Sequence, residues 1–199
     1  MADFNKVLMS PNGNATIPGV MTAASFKRAA PLLQQSFPIS LADARTTGTF
    51  QPLGAAAGTP SGACGITAGT FGTTCPIIVS EAGSSKSDAF RFILNIPHNY
   101  SPGGALNLVF SISETATFDG TIAVSGYLVQ PATLGSDLIA LAAVIPTGLS
   151  ATFANYSVPF TALTGIVPGS EIDIQVTLAT VTTATMKVQS ITLLADCAA

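Results

Sequence analysis

The sequence predicts an all-β protein: an antiparallel β-sandwich, a jelly roll of about eight strands, carrying an extended or partly helical N-terminal arm. Three observations carry this. From Lys86 onward apolar and small polar residues alternate with a period of two, as strands with one buried face do. Turn residues separate these runs at regular spacing. The chain also holds 24 Thr and few strong helix formers outside its N-terminal part, a strand-favouring composition.

The elements follow in order. Phe90, Phe92, Leu94 and Ile96 share one face, with Arg91, Ile93 and Asn95 on the other. Pro97 ends that strand, and Ser101-Pro102-Gly103-Gly104 forms a turn. Leu106, Leu108, Phe110 and Ile112 line the next inward face. A third strand spans Thr121 to Val129 after Asp119-Gly120. Asp137 to Val144 reads equally as a short helix or a buried strand. Further strands carry Tyr156, Val158 and Phe160, then Ile172, Ile174, Val176 and Leu178. The last holds Met186 and Val188, then Ile191 and Leu193; its change of phase near Ser190 predicts a β-bulge. Residues 38–45 and 76–80 supply the remaining strands. The nearest rival architecture is an immunoglobulin-like sandwich.

Two stretches fall outside this pattern. Residues 1–37 form the arm, where Met21–Ala30 fits either a short helix stopped by Pro31 or extended chain. The sandwich domain is residues 38–199. Within it, residues 46–75 form a Gly/Thr-rich irregular insertion, expected to run over a neighbouring surface of its own domain or of a partner.

Only 17 of 199 residues are charged, and the net charge is −3. A disordered chain needs low hydrophobicity and high net charge. A nucleic-acid binder needs a basic surface; Lys27-Arg28 is only a pair, and the pI is about 4.8. The longest apolar run, Leu138 to Pro146, is far short of the ~20 residues of a membrane-spanning helix. The first ten residues carry Asp3 and Lys6 and no apolar stretch of a secretory signal, so synthesis in a cytosol is expected. The NxS/T triplets at Asn14, Asn99 and Asn155 then read as chance in a Ser/Thr-rich chain.

No chemistry stands out. His98 is the only histidine; it lies between Pro97 and Asn99 at a strand end with no positioned nucleophile or orienting acid in view. Glu171 and Asp173 share an outward strand face and read as a solvated pair. Cys64, Cys75 and Cys197 are too few for a disulfide framework or a zinc site, although Cys64 and Cys75 lie in one Gly/Thr-rich stretch and could bridge under oxidising conditions. Gly58–Gly72 lacks phosphate-binding spacing. Trp is absent, and Tyr100, Tyr127 and Tyr156 are the only tyrosines available as sugar platforms. No catalytic, cofactor-binding or metal residue is therefore assigned, and no enzyme activity or cofactor is expected.

The stretch FRFILNIPHNYSPGGALNLVFSIS (Phe90–Ser113) resembles a strand–turn–strand unit of small jelly-roll virion proteins of tailed bacteriophages. Pro38–Thr47, Gly69–Ile78, Leu134–Ile139, Ile166–Ala179 and Val188–Asp196 are similar in the same order. The resemblance implies a capsid decoration (cement) protein on the outside of a phage head. Its partners would be the major capsid protein and itself, as a homotrimer, with no nucleic acid and no membrane. It would be made in the host cytoplasm and end in the virion. It offers no catalytic residue to carry over. The rival class is a carbohydrate- or receptor-binding jelly roll, its site on the loops Asn99–Gly104, Thr115–Gly120 and Gly148–Asn155. The low charge favours assembly, because free monomers normally use charge to resist association.

Overall fold

A computed structural model describes residues 32–58, 61–70, 73–83, 85–116, 118–129, 135–181 and 183–198, together with three short strands near the N-terminus. Those strands are β1 (Leu8–Met9), β2 (Ala15–Ile17) and β3 (Met21–Thr22), paired antiparallel in that order. Residues 1–31 form one compact unit and 32–199 a second. Met21 and Thr22, at the start of the segment that fits a helix, are therefore extended; residues 23–30, with Lys27 and Arg28, lie outside the described residues.

The described residues of the second unit form ten strands: β4 (Leu33–Ile39), β5 (Gly65–Thr67), β6 (Ile77–Val79), β7 (Lys86–Asn95), β8 (Leu106–Glu114), β9 (Thr121–Leu128), β10 (Leu141–Val144), β11 (Ala154–Pro159), β12 (Glu171–Thr180) and β13 (Met186–Cys197). One sheet has the order β10-β9-β12-β7 and the other β11-β8-β13-β6-β5, with β4 also beside β13. Every strand pair is antiparallel. The eight strands β6 to β13 thus divide as β7-β12-β9-β10 and β6-β13-β8-β11, the strand exchange of a jelly roll.

The alternation predicts the core well. Phe90, Phe92 and Leu94 of β7, and Ile172, Ile174, Val176 and Leu178 of β12, are buried. So are Leu106, Leu108, Phe110 and Ile112 of β8 with Met186, Val188, Ile191 and Leu193 of β13. Each such side chain contributes roughly 1.5–3 kcal/mol by leaving water. The bulge falls where the phase changes: Val188 faces Ile112 while Ser190 faces Ser111, so Gln189 is the extra residue.

Three boundaries differ from expectation. β4 begins at Leu33 and pairs with Ile191–Cys197, so residues 32–37 belong to the sandwich and not to the arm. Their outward residues are polar or small because β4 is an edge strand with only partial burial, which hides its period. The 38–45 stretch supplies only the end of that strand, followed by a 3-10 turn at Leu41–Asp43. In the ambiguous 137–144 segment, only Leu141–Val144 is regular, and it is a strand with no buried residue, since it forms the sheet edge.

The 46–75 insertion runs over its own domain. Arg45 exchanges backbone hydrogen bonds with Arg91 at 2.7 and 2.9 Å, and Gly62 and Cys64 bond Ala89 at 2.8 and 3.2 Å. It thereby covers the free edge of β7, which would otherwise template pairing with another chain.

Candidate functional site

The outward face of the four-stranded sheet carries the most developed polar constellation. Strand register sets it in two rows. Ser125 of β9 lies beside Gln175 of β12, which lies beside Arg91 of β7. In the next row Tyr127 faces Asp173, which faces Ile93. A cavity of about 290 Å³ opens here, lined by Arg91, Ser125, Tyr127, Asp173 and Gln175.

Arg91 and Asp173 form a two-point ion pair. Nε donates to Asp173 Oδ1 at 2.5 Å, and Nη2 donates to Oδ2. That hydrogen bond holds the guanidinium above its ordinary pKa, against an opposing effect of burial. A planar fork held this way is fixed in direction as well as in charge.

Phe50 backs Arg91 from outside the cavity lining. The Thr46–Gln51 loop is pinned by Thr46 N–H to the Gln51 carbonyl at 2.8 Å and Phe50 N–H to the Thr46 carbonyl at 3.1 Å. Phe50 takes φ 53°, a conformation costly for a bulky residue. In return its ring lies under the Arg91 guanidinium, 5.0 Å from centroid to Cζ, within cation–π range. The ring remains substantially exposed, at 42%.

Asp137 holds the other side in place. Its Oδ1 accepts backbone N–H groups from Gly126, Ile139 and Ala140 at 2.8, 3.0 and 2.9 Å. Burial pushes this carboxyl up, but the three N–H groups with the Ser125 hydroxyl outweigh it, and its pKa lies below the usual carboxylate value. The loop before β10 is thereby anchored to β9 between Ser125 and Tyr127.

The side chains facing the cavity retain unused capacity. Among the described residues, no protein group bonds the Gln175 amide, the Tyr127 hydroxyl or Arg91 Nη1. The face therefore offers amide, hydroxyl and guanidinium groups between two aromatic rings.

Of the residues singled out from sequence, Tyr127 and Asp173 fall in this cavity and the others lie elsewhere. Glu171 is exposed as expected, but Asp173 is ion-paired and part of the cavity. Tyr100 is 2% exposed and donates its hydroxyl to the Gly104 carbonyl at 2.8 Å. The Asn99–Gly104 loop is thus spent on holding the end of β13, where Asp196 bonds Ser101 and Ala105. Glu114 N–H, just before the Thr115–Gly120 loop, donates to the Ser150 carbonyl of the Gly148–Asn155 loop, while Thr115 is tied to Thr185. Glu114 itself is 1% exposed, and its Oε1 has no hydrogen-bond partner.

His98 makes no hydrogen bond to a described residue and lines a separate cleft of about 500 Å³. Cys64 and Cys197 are buried and Cys75 is exposed; all three are free thiols. Burial, then the nearby Asp88 charge, pushes the Cys64 thiol far up, which leaves it unreactive. An apolar recess of about 350 Å³ lies by Leu41, Ile66, Cys75 and Pro76. Among the described residues no three His, Cys, Asp or Glu side chains converge as a metal set, and no helix is long and apolar enough to cross a membrane.

No protein-family model and no curated protein matches the chain. Among solved structures, the xylan-binding module CBM15 aligns with a TM-score of 0.47 at 11% identity, over 83% of this chain and 99% of its own. TmCBM61, solved in complex with β-1,4-galactotriose, aligns with a TM-score of 0.40 at 12% identity, over 88% and 97%. Neither score supports transfer of a site, so the constellation stands on its own side chains.

Proposed function

We propose that this chain is a binding module without catalytic activity that holds a carbohydrate on the outward face of its four-stranded sheet. The observation that carries this reading is the two-point Arg91–Asp173 pair set between Tyr127 and Phe50, with the Gln175 amide beside it. A sugar presents hydroxyl groups that both donate and accept, and one face of C–H bonds. Planar, oriented amide, carboxylate and guanidinium groups match the hydroxyls, and an aromatic ring matches the C–H face. The cavity is small, which suits one sugar ring and not a drug-sized apolar ligand.

The test is a glycan array with the full chain beside its Arg91→Ala variant. Binding above background that disappears in the variant is the expected result. Equal signals from both proteins overturn the assignment of the face.

A second reading, decoration of a phage shell, is favoured by a different observation. The loops at one end of the sandwich expose Phe118, Ile145, Phe153 and Val181, each at least 38% accessible, in a chain with few surface charges. Exposed apolar groups gathered by topology at one end suit contact with another protein. Imaging of purified virions checks it: density for this protein outside the shell supports the reading, and its absence from particles ends it. Membership of a virion and trimer formation belong to this reading alone.

A further inference from the structure

Resting on the sheet-face reading, we infer that the ligand is a neutral oligosaccharide which runs along β7 from the Arg91–Asp173 pair into a second subsite at the His98 cleft. Arg91, Ile93 and Asn95 alternate onto the same outward face of β7. Asn95 then lines the cleft of about 500 Å³, together with Phe37, Pro97, His98, Asn99 and Gly169. The path from Arg91 to Asn95 covers four residues of strand, roughly 13 Å at the usual rise, which is room for about three sugar rings and too long for one.

The groups along this path suit alternating C–H and hydroxyl contacts. Ile93 is half-buried and apolar between the two polar ends. Phe37 of β4, half-buried against the core, forms the floor of that cleft. The Asn95 amide and the His98 ring make no hydrogen bond to a described residue, and Asn99 is oriented by donating to Gln35 Oε1 at 3.1 Å. Charge selects the ligand class. The Arg91 cation is matched by Asp173, and the exposed Glu171 carboxylate stands opposite Asn95 in register. An acidic sugar chain would meet that carboxylate with no unpaired lysine or arginine lining either cavity.

The experiment is calorimetry with gluco-, galacto-, xylo- and manno-oligosaccharide ladders, from monosaccharide to hexasaccharide, and one oligouronate ladder. Affinity for one neutral ladder should rise with length and then level off. His98→Ala and Asn95→Ala should each lose about tenfold on the longer members, the effect of one good hydrogen bond, while leaving the shortest binding member unchanged. Arg91→Ala should weaken every length. His98→Leu, which keeps most of the side-chain volume beside Gly169 without a hydrogen-bonding group, serves if His98→Ala does not fold. Wild-type binding of long members by all cleft variants, with loss only in Arg91→Ala, overturns the second subsite and leaves the sheet-face reading standing. Tighter binding of oligouronates overturns the neutral class. Failure of every ladder to bind the wild-type chain overturns the sheet-face reading and this inference with it.

Discussion

The two outward faces of the sandwich are built on the same alternation and carry opposite chemistry. On the six-stranded sheet the outward residues include Asn107, Val109, Ser111, Ser157, Lys187, Thr192, Leu194 and Asp196, and no ion pair joins two of them. On the four-stranded sheet the equivalent positions hold Arg91, Asp173, Gln175 and Tyr127. Both sheets bury an equally apolar inner face, so stability does not require the difference. Where two charges meet on the four-stranded face, a Phe50 ring held in a strained turn packs against the pair. The faces therefore differ less in how many charges they carry than in whether two of them are paired and oriented.

The largest expected effect breaks this contrast directly. Arg91→Ala should lower affinity for the bound glycan by about a hundredfold, the worth of a charge-assisted pair, and Asp173→Ala should lose nearly as much. The double variant should lose little more, because the two act as a unit. Titration calorimetry checks all three.

Asp137→Ala should destabilise the fold by about 2 kcal/mol, since three N–H groups lose their acceptor. The pKa of this carboxyl is lowered in the folded state, so its contribution is present above the ordinary carboxylate value and lost as pH falls through the folded value. Urea melts at neutral and strongly acidic pH should show the variant's deficit shrinking with acidity.

The six-stranded sheet carries the opposite case. Burial raises the Glu114 pKa, so this group favours folding at low pH and the contribution is lost as pH rises through the folded value. Glu114→Gln should gain about 1 kcal/mol at neutral pH, a gain that disappears on acidification. A variant less stable than wild type at neutral pH would mean that the carboxylate has a required partner.

Phe50→Gly should cost a few-fold in affinity through loss of the cation–π contact, while stability stays level or rises by about 1 kcal/mol as the positive φ becomes relaxed. The smallest effect belongs to the other face. Val109→Lys and Thr192→Lys should leave glycan affinity unchanged. If that plain face pairs with another copy, the same variants should shift the sedimentation profile toward monomer.

Much of the sandwich is legible in the sequence because long strands buried on one side declare themselves: β7, β8 and β12 alternate cleanly, and the Ser190 phase change marks its bulge. β4 is hidden because none of its residues is fully buried and its half-buried positions mix the polar Gln35 with Phe37 and Ile39. The site is legible only in fragments. Alternation places Arg91 and Asp173 on outward faces, yet they are 82 residues apart, and only the β7–β12 register brings them together. Nothing in the Gly/Thr-rich insertion marks Phe50 as different from its neighbours, since its role depends on a backbone turn closed by long-range pairing of Arg45 with Arg91. Tyr100 misleads for the opposite reason: a tyrosine in a Gly/Pro turn reads as exposed, whereas a hydrogen bond to Gly104 draws it inside.

The most direct test of the sheet-face site is an NMR titration of the isotope-labelled chain with the strongest neutral oligosaccharide from the ladders. Amide shifts concentrated at Arg91, Ser125, Tyr127, Asp173 and Gln175, with Val109, Ser111 and Thr192 silent, are the predicted result. Shifts on the six-stranded face or confined to the Thr115–Gly120 and Gly148–Asn155 loops would contradict it.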